Sequence, residues 1–286
     1  LLRCGDGMDI LTAVFLGIVQ GLTEFLPVSS SGHLVLFETL FGFDAESPEM
    51  LLFDLATHVG TVAAVLFVFR KPLYRFLRQP SSLGRDACES TASAGSLSLT
   101  RVILMVLIAN FCTGILVLPL KKVFTDARGS LLVVALMWAV TGTLLWLTDR
   151  RKTSPFDLAS FGLKSAALVG LAQGVAVLPG ISRSGATIGV AVLLGLQRSR
   201  AVEFSMLIGI PAILGATVLE TAGNWQSIGT SGMGVPVALA GAVSAAVVGV
   251  GALRLLLVVS RVAKLRYFGF YCYALSVGSL IYLLLS

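Results

Sequence analysis

Six runs of nearly twenty apolar residues decide what this chain can fold into: Leu51 to Phe69, Val102 to Leu120, Leu131 to Leu147, Phe204 to Thr221, Met233 to Leu253 and Tyr267 to Leu285. A helix needs about 20 apolar residues to cross the roughly 30 Å hydrocarbon core of a bilayer, so each run reads as a spanning helix. Backbone groups in lipid must be satisfied within their own segment, which makes the fold an all-α polytopic membrane protein. Composition agrees, because 56% hydrophobic and 13% charged residues over 286 positions exceed what a soluble core can bury. The net charge of +6 does not point to nucleic acid, since the Arg and Lys residues sit in short connections between apolar runs and act as topology signals. Cys4, Cys88, Cys112 and Cys272 lie far apart and offer neither a disulfide framework nor zinc spacing. Nothing resembles a cleaved signal peptide, and Leu1 to Gly7 reads as an extension upstream of a start at Met8.

The chain also repeats itself. Gly17-Ile-Val-Gln20-Gly21, Leu26-Pro27 and Ser29-Ser30-Ser31-Gly32 recur as Gly170-Leu-Ala-Gln173-Gly174, Leu178-Pro179 and Ser182-Arg183-Ser184-Gly185. Three apolar runs follow each copy, and an odd number of crossings inverts the second copy relative to the first. The expectation is one integral membrane domain over 1–286. Its first repeat covers about 8–148 with a re-entrant helical hairpin at 9–43, and its second about 160–286 with a hairpin at 163–198. Neither hairpin offers the roughly 40 apolar residues that two full crossings require, and each is broken by Pro and Gly. Basic connections place Arg70 to Arg101, Arg150-Arg151-Lys152, Arg198 to Arg200 and Arg254 to Arg266 in the cytoplasm, and the acidic Asp44, Glu46 and Glu49 outside. Lys121, Lys122 and Arg128 fall outside by the same count, against the rule. Gln79 to Ser98, rich in Ser, Gly and Ala, reads as a flexible loop.

Broken helices in matching positions of two inverted repeats point to a midplane site. In the first hairpin Gln20 and Glu24 stand one helical turn apart, and Ser29, Ser30, Ser31 and His33 open the returning element. An ionisable side chain inside a bilayer costs about 2.5 to 3.5 kcal/mol, so Glu24 and His33 read as functional rather than as a polar pin. In the second hairpin Gly180, Ser182, Arg183, Ser184, Gly185 and Thr187 form an oxyanion cradle suited to phosphate: glycines admit a ligand, hydroxyls and helix N–H groups donate, and Arg183 adds a planar fork. The competing reading, an Arg183 that snorkels to the surface, fits its Gly and Ser neighbours poorly. No P-loop or Rossmann spacing supports nucleotide binding. Asp54 and His58 read better as an interfacial or structural pair, Glu203 as an ion-pair partner of Arg200, Pro211 as a kink, and Trp138, Trp146 and Trp225 as interface anchors.

The motifs Gln20-Gly-Leu-Thr-Glu-Phe-Leu-Pro-Val-Ser-Ser-Ser-Gly-His33 and Pro179-Gly-Ile-Ser-Arg-Ser-Gly-Ala-Thr187 resemble those of the undecaprenyl-pyrophosphate phosphatase family, BacA or UppP, over essentially the whole chain from Met8. The resemblance implies an enzyme of the bacterial cytoplasmic membrane that hydrolyses undecaprenyl diphosphate to undecaprenyl phosphate and inorganic phosphate. It further implies recycling of the lipid carrier for peptidoglycan synthesis, bacitracin resistance, a site opening to the periplasm, lipid neighbours and a homodimer as a candidate assembly. By position, Glu24, Ser30, His33 and Arg183 fall on the family's catalytic residues, and Ser182, Ser184 and Thr187 on its phosphate-contacting motif. A divalent cation, Mg2+, is expected on Glu24, although Gln20 stands where many members carry a second glutamate.

Hydrolysing a phosphoanhydride requires charge neutralisation, an aligned nucleophile and a protonated leaving group. His33 is the natural proton carrier, and the nucleophile is Ser30, His33 or water. A flippase using the same intramembrane site is the rival reading, and a purely structural membrane protein a third.

Overall fold

The computed structural model describes residues 8–44, 47–78, 99–127, 129–151, 157–229, 231–262 and 264–285. Leu1 to Gly7, the segment Gln79 to Ser98 expected as a flexible loop, and the residues Glu46, Arg128 and Lys152 lie outside these, and with them Cys4, Cys88 and Arg85. The described residues form twelve α-helices and one 3-10 turn, with no strand among them. In order, the helices are α1 (Ile10–Phe25), α2 (Ser30–Phe41), α3 (Pro48–Arg78), α4 (Leu99–Val117), α5 (Lys121–Asp126), α6 (Leu131–Arg150), α7 (Leu163–Val175), α8 (Arg183–Leu193), α9 (Arg198–Gly223), α10 (Trp225–Gly229), α11 (Val235–Val262) and α12 (Arg266–Leu285).

Six of them, α3, α4, α6, α9, α11 and α12, are long and apolar enough to span a membrane, one for each apolar run. The boundaries differ from the runs where local chemistry intervenes. The run to Leu120 stops being α4 at Val117, because Leu118 precedes Pro119 and such a residue disfavours helical backbone. Helix α3 instead continues well past Phe69 to Arg78.

The short helices occur as two pairs, α1 with α2 and α7 with α8. Asp9 caps α1 by accepting the Thr12 N–H at 2.7 Å, and α1 ends just ahead of Pro27. Gly42, at φ +75°, closes α2 with its N–H on the carbonyls of Glu38 and Thr39.

Helices from the two halves of the chain pair with one another: α1 and α3 pack on α11, α6 on α12, and α4 on α7. Small residues make these seams. A Cβ on Gly21 would strike the Ala245 carbonyl, one on Gly60 the Ala242 carbonyl, and one on Gly170 the Ala109 backbone. Close backbone approach of this kind drives helix association where lipid removes the hydrophobic incentive. An apolar cluster including Phe25, Met105, Leu145, Ile188, Phe204 and Leu256 forms a core, and Leu26 of the first polar turn packs against it.

Trp138 departs from the sequence expectation. It is fully buried, not interfacial, and its indole N–H donates to the Val28 carbonyl at 2.9 Å. Trp225 is 71% exposed, and Trp146 lies beneath the Arg150 guanidinium, 3.6 Å from the ring centroid. Arg200 pairs with Glu203 at 2.9 Å, as expected, and Pro211 falls inside α9.

Candidate active site

The first polar turn joins α1 to α2 and is held in an unfavourable shape. Ser29 has φ +69°, the one non-glycine residue with positive φ among the described residues. Such backbone costs about 1–3 kcal/mol and persists only where its surroundings enforce it. Here the Ser29 hydroxyl caps α2 by accepting the Gly32 N–H at 3.3 Å, and the Ser29 carbonyl faces His33 Nδ1 at 2.7 Å. A ring nitrogen against a carbonyl must carry its proton, so Nε2 accepts from the Tyr271 hydroxyl, 2.8 Å away on α12. The two rings lie near parallel, 11° apart with centroids at 5.7 Å, and the Trp138 ring meets His33 edge-on.

The second turn joins α7 to α8. Gly180, at φ +92°, takes backbone that a side chain would resist, and its carbonyl accepts from the Thr141 hydroxyl at 3.1 Å. The same Thr141 oxygen accepts the Ser182 N–H, also at 3.1 Å. Ser182 then caps α8 by accepting the Gly185 N–H at 3.0 Å, which leaves Arg183 as the helix's first residue. The two turns touch where the Ser184 hydroxyl donates to the Leu26 carbonyl at 3.1 Å.

At the centre, Arg183 Nη2 lies 2.5 Å from Glu24 Oε1, with side-chain exposures of only 16% and 6%. Glu24 Oε2 accepts from the Ser30 hydroxyl at 2.7 Å and from Gln20 Nε2 at 3.0 Å, and His58 Nε2 stands 3.9 Å from it. These groups sit against a cavity of about 440 Å³. Of the residues anticipated from sequence, Glu24, Ser29, Ser30, Ser31, Ser182 and Arg183 line it. Gln20, His33, Gly180, Ser184, Gly185 and Thr187 do not. Gln20 and His33 brace Glu24 and Ser29, while the Thr187 hydroxyl points to Ser205 at 2.6 Å and to the Arg183 carbonyl.

Asp54 and His58, which read from sequence as an interfacial or structural pair, do pair through His58 Nδ1 and the Asp54 carbonyl at 2.7 Å, but both also line the cavity and His58 Nε2 faces Glu24. Asn110, Thr113 and Gln173 were missed as cavity residues. Gln173 Nε2 donates to Thr113 Oγ1 at 3.1 Å, and the signal available was a polar residue in each apolar helix.

A serine hydroxyl donating to a carboxylate is the geometry of a nucleophile beside its base. An arginine fork and two capped helix N-termini converge on the same space, which suits an anion. Glu24 is already engaged at both oxygens, by Arg183 on one and by Ser30 and Gln20 on the other. That donor arrangement does not fit a divalent cation seated on Glu24.

A multi-span helical membrane protein with a serine, carboxylate and arginine cluster beside a deep cavity is the class that this fold and site define. The chain belongs to the BacA family, described as bacitracin resistance protein BacA, whose pattern matches residues 13–278. It is similar to the undecaprenyl-diphosphatase of Desulfosudis oleivorans, 43% identical over 276 residues, covering 94% of this chain and 96% of the relative. The undecaprenyl-diphosphatase of Alkaliphilus metalliredigens is 37% identical over 276 residues, with 96% and 98% covered. That of Methanobrevibacter smithii is 36% identical over 274 residues, with 94% and 96% covered.

Proposed function

We propose that this protein is a membrane phosphatase that hydrolyses undecaprenyl diphosphate to undecaprenyl phosphate and inorganic phosphate. In that role it returns the lipid carrier to peptidoglycan synthesis and confers bacitracin resistance. The observation that carries the reading is the contact of Ser30 and Arg183 with the two oxygens of one buried carboxylate, Glu24, at the cavity wall. Membership of the BacA family and the names of the relatives support it.

In the chemistry we envisage, the diphosphate enters the cavity and its terminal phosphate takes the Arg183 guanidinium together with the N-terminal donors of α2 and α8. Ser30 Oγ attacks the terminal phosphorus as its proton passes to Glu24 Oε2. The bond from phosphorus to the bridging oxygen breaks and undecaprenyl phosphate leaves. Water then attacks the phosphoseryl phosphorus, the bond to Oγ breaks, and Ser30 recovers a proton as inorganic phosphate departs.

The same proposal includes two inverted repeats, each a re-entrant hairpin followed by three spans, within one domain over 1–286. Support comes from helix lengths: α1, α2, α7 and α8 have 16, 12, 13 and 11 residues, which at about 1.5 Å each fall short of the roughly 30 Å needed to cross. A periplasmic opening of the site in the bacterial cytoplasmic membrane is part of it too. The cavity wall draws on Glu38 late in α2, Asp54 early in α3, Val117 at the end of α4 and Glu220 late in α9. Glu38 and Asp54 flank the acidic connection between α2 and α3, and Val117 leads into the Lys121-Lys122 connection that the count of crossings also puts outside.

The test is phosphate release from a long-chain polyprenyl diphosphate by purified protein in detergent micelles, where transport between compartments has no meaning. Wild type should release phosphate, and Ser30→Ala and Arg183→Ala should lose at least about a hundredfold in turnover. Absence of release by wild type, or full activity in both variants, would sink the proposal.

A further inference from the structure

The geometry points to Tyr271 as a positioning residue for the nucleophile, acting through His33, whose imidazole serves as a brace and not as the proton carrier. This rests on the reading that Ser30 attacks phosphorus. Three observations carry it. Both ring nitrogens of His33 are engaged, Nδ1–H on the Ser29 carbonyl at 2.7 Å and Nε2 on the Tyr271 hydroxyl at 2.8 Å. The ring is shut away, since His33 is 4% exposed and does not line the cavity where Ser30 and Glu24 stand. The carbonyl it grips belongs to Ser29, the residue with φ +69° immediately before Ser30.

The direction of the hydrogen bonds gives the device its logic. The Tyr271 hydroxyl donates to Nε2, which fixes the tautomer with hydrogen on Nδ1, and only that tautomer can donate to the Ser29 carbonyl. The near-parallel stack of the two rings holds the imidazole plane. The carbonyl of the preceding residue, Val28, is held separately by the Trp138 N–H, so consecutive carbonyls ahead of Ser30 are gripped from α2 and α6. Strained backbone held this way sets where the Ser30 oxygen lies relative to Glu24 and Arg183. A displacement of about 1 Å at a reacting atom can cost a hundredfold in rate.

The experiment combines Tyr271→Phe, His33→Asn, His33→Ala and the double variant Tyr271→Phe with His33→Asn in the micelle assay. Tyr271→Phe keeps the ring and loses one hydrogen bond, so turnover should fall a few-fold to tenfold with KM within about twofold. Asn at 33 has an N–H placed like Nδ1 and no acid–base function, so His33→Asn should keep at least a tenth of wild-type turnover while His33→Ala loses about a hundredfold. In the His33→Asn background Tyr271→Phe should change nothing more, because its acceptor is gone. Hydrogen exchange over residues 26–34 should quicken in Tyr271→Phe, a readout independent of activity. The inference is overturned if His33→Asn is as inactive as His33→Ala, as a proton carrier requires, or if Tyr271→Phe matches wild type in turnover and exchange. Wild type that releases no phosphate while the exchange effect persists would remove the phosphatase reading and leave the brace standing.

Discussion

The pair at the centre of the site makes a prediction that separates stability from chemistry. Glu24→Gln leaves the Arg183 guanidinium, with a side chain 16% exposed, facing a neutral amide in place of the carboxylate 2.5 Å away. Stranding one member of a buried ion pair costs about 3–5 kcal/mol, and the Ser30 hydroxyl also exchanges a charged acceptor for a neutral one, a loss of about 1 kcal/mol. Removing both charges, as in Glu24→Gln with Arg183→Met, deletes the uncompensated ion and should recover most of that stability. Thermal unfolding in detergent, followed through the fluorescence of the buried Trp138, should therefore rank wild type and the double variant close together and Glu24→Gln well below. Phosphate release should be lost in the single and the double variant alike. If Glu24→Gln costs less than about 1 kcal/mol, as an exposed pair would, or if the double variant is as unstable as the single, the assignment of a buried, charge-compensated centre is wrong.

Other consequences can be measured with the same protein. Gly209 of α9 backs the Arg183 guanidinium so closely that a Cβ would overlap Nη1, so Gly209→Ala should displace the fork and lower turnover about ten- to a hundredfold without touching a reacting group. Arg183→Lys keeps the charge and loses the planar fork; KM for the polyprenyl diphosphate should rise about tenfold or more, and a near-normal value would contradict bidentate holding. Gly21→Leu would drive a side chain into the Ala245 backbone of α11, and folded protein recovered from membranes should fall sharply, as judged by monodisperse elution in detergent.

Much of the fold was legible because each apolar run had a single outlet, a spanning helix, and each of the six runs has one. The paired motifs likewise exposed Glu24, Ser30 and Arg183, since charge or dense hydroxyls inside apolar sequence are costly without a use. What escaped was information held between distant segments. Trp138 looked like an anchor because tryptophan favours interfaces, yet the Val28 carbonyl gives its N–H a partner in the interior. Asp54 and His58 sit early in α3, where sequence alone reads a membrane boundary; only the packing of α3 beside α9 turns that stretch onto the cavity. Tyr271 had no signal at all, as one tyrosine among the aromatic residues of α12.

The cross-pairing of the two halves governs how the protein must be made. Helix α1 leaves the ribosome long before α11, against which it seals, and α6 waits in the same way for α12. Until α11 and α12 have been inserted, glycine-lined grooves and a strained serine turn stay without their closing walls, so the site cannot be completed by the segments that carry its two motifs. Loss of α12 would remove Tyr271 and unseat α6 together, producing a chain that carries every residue of both motifs and yet no assembled centre.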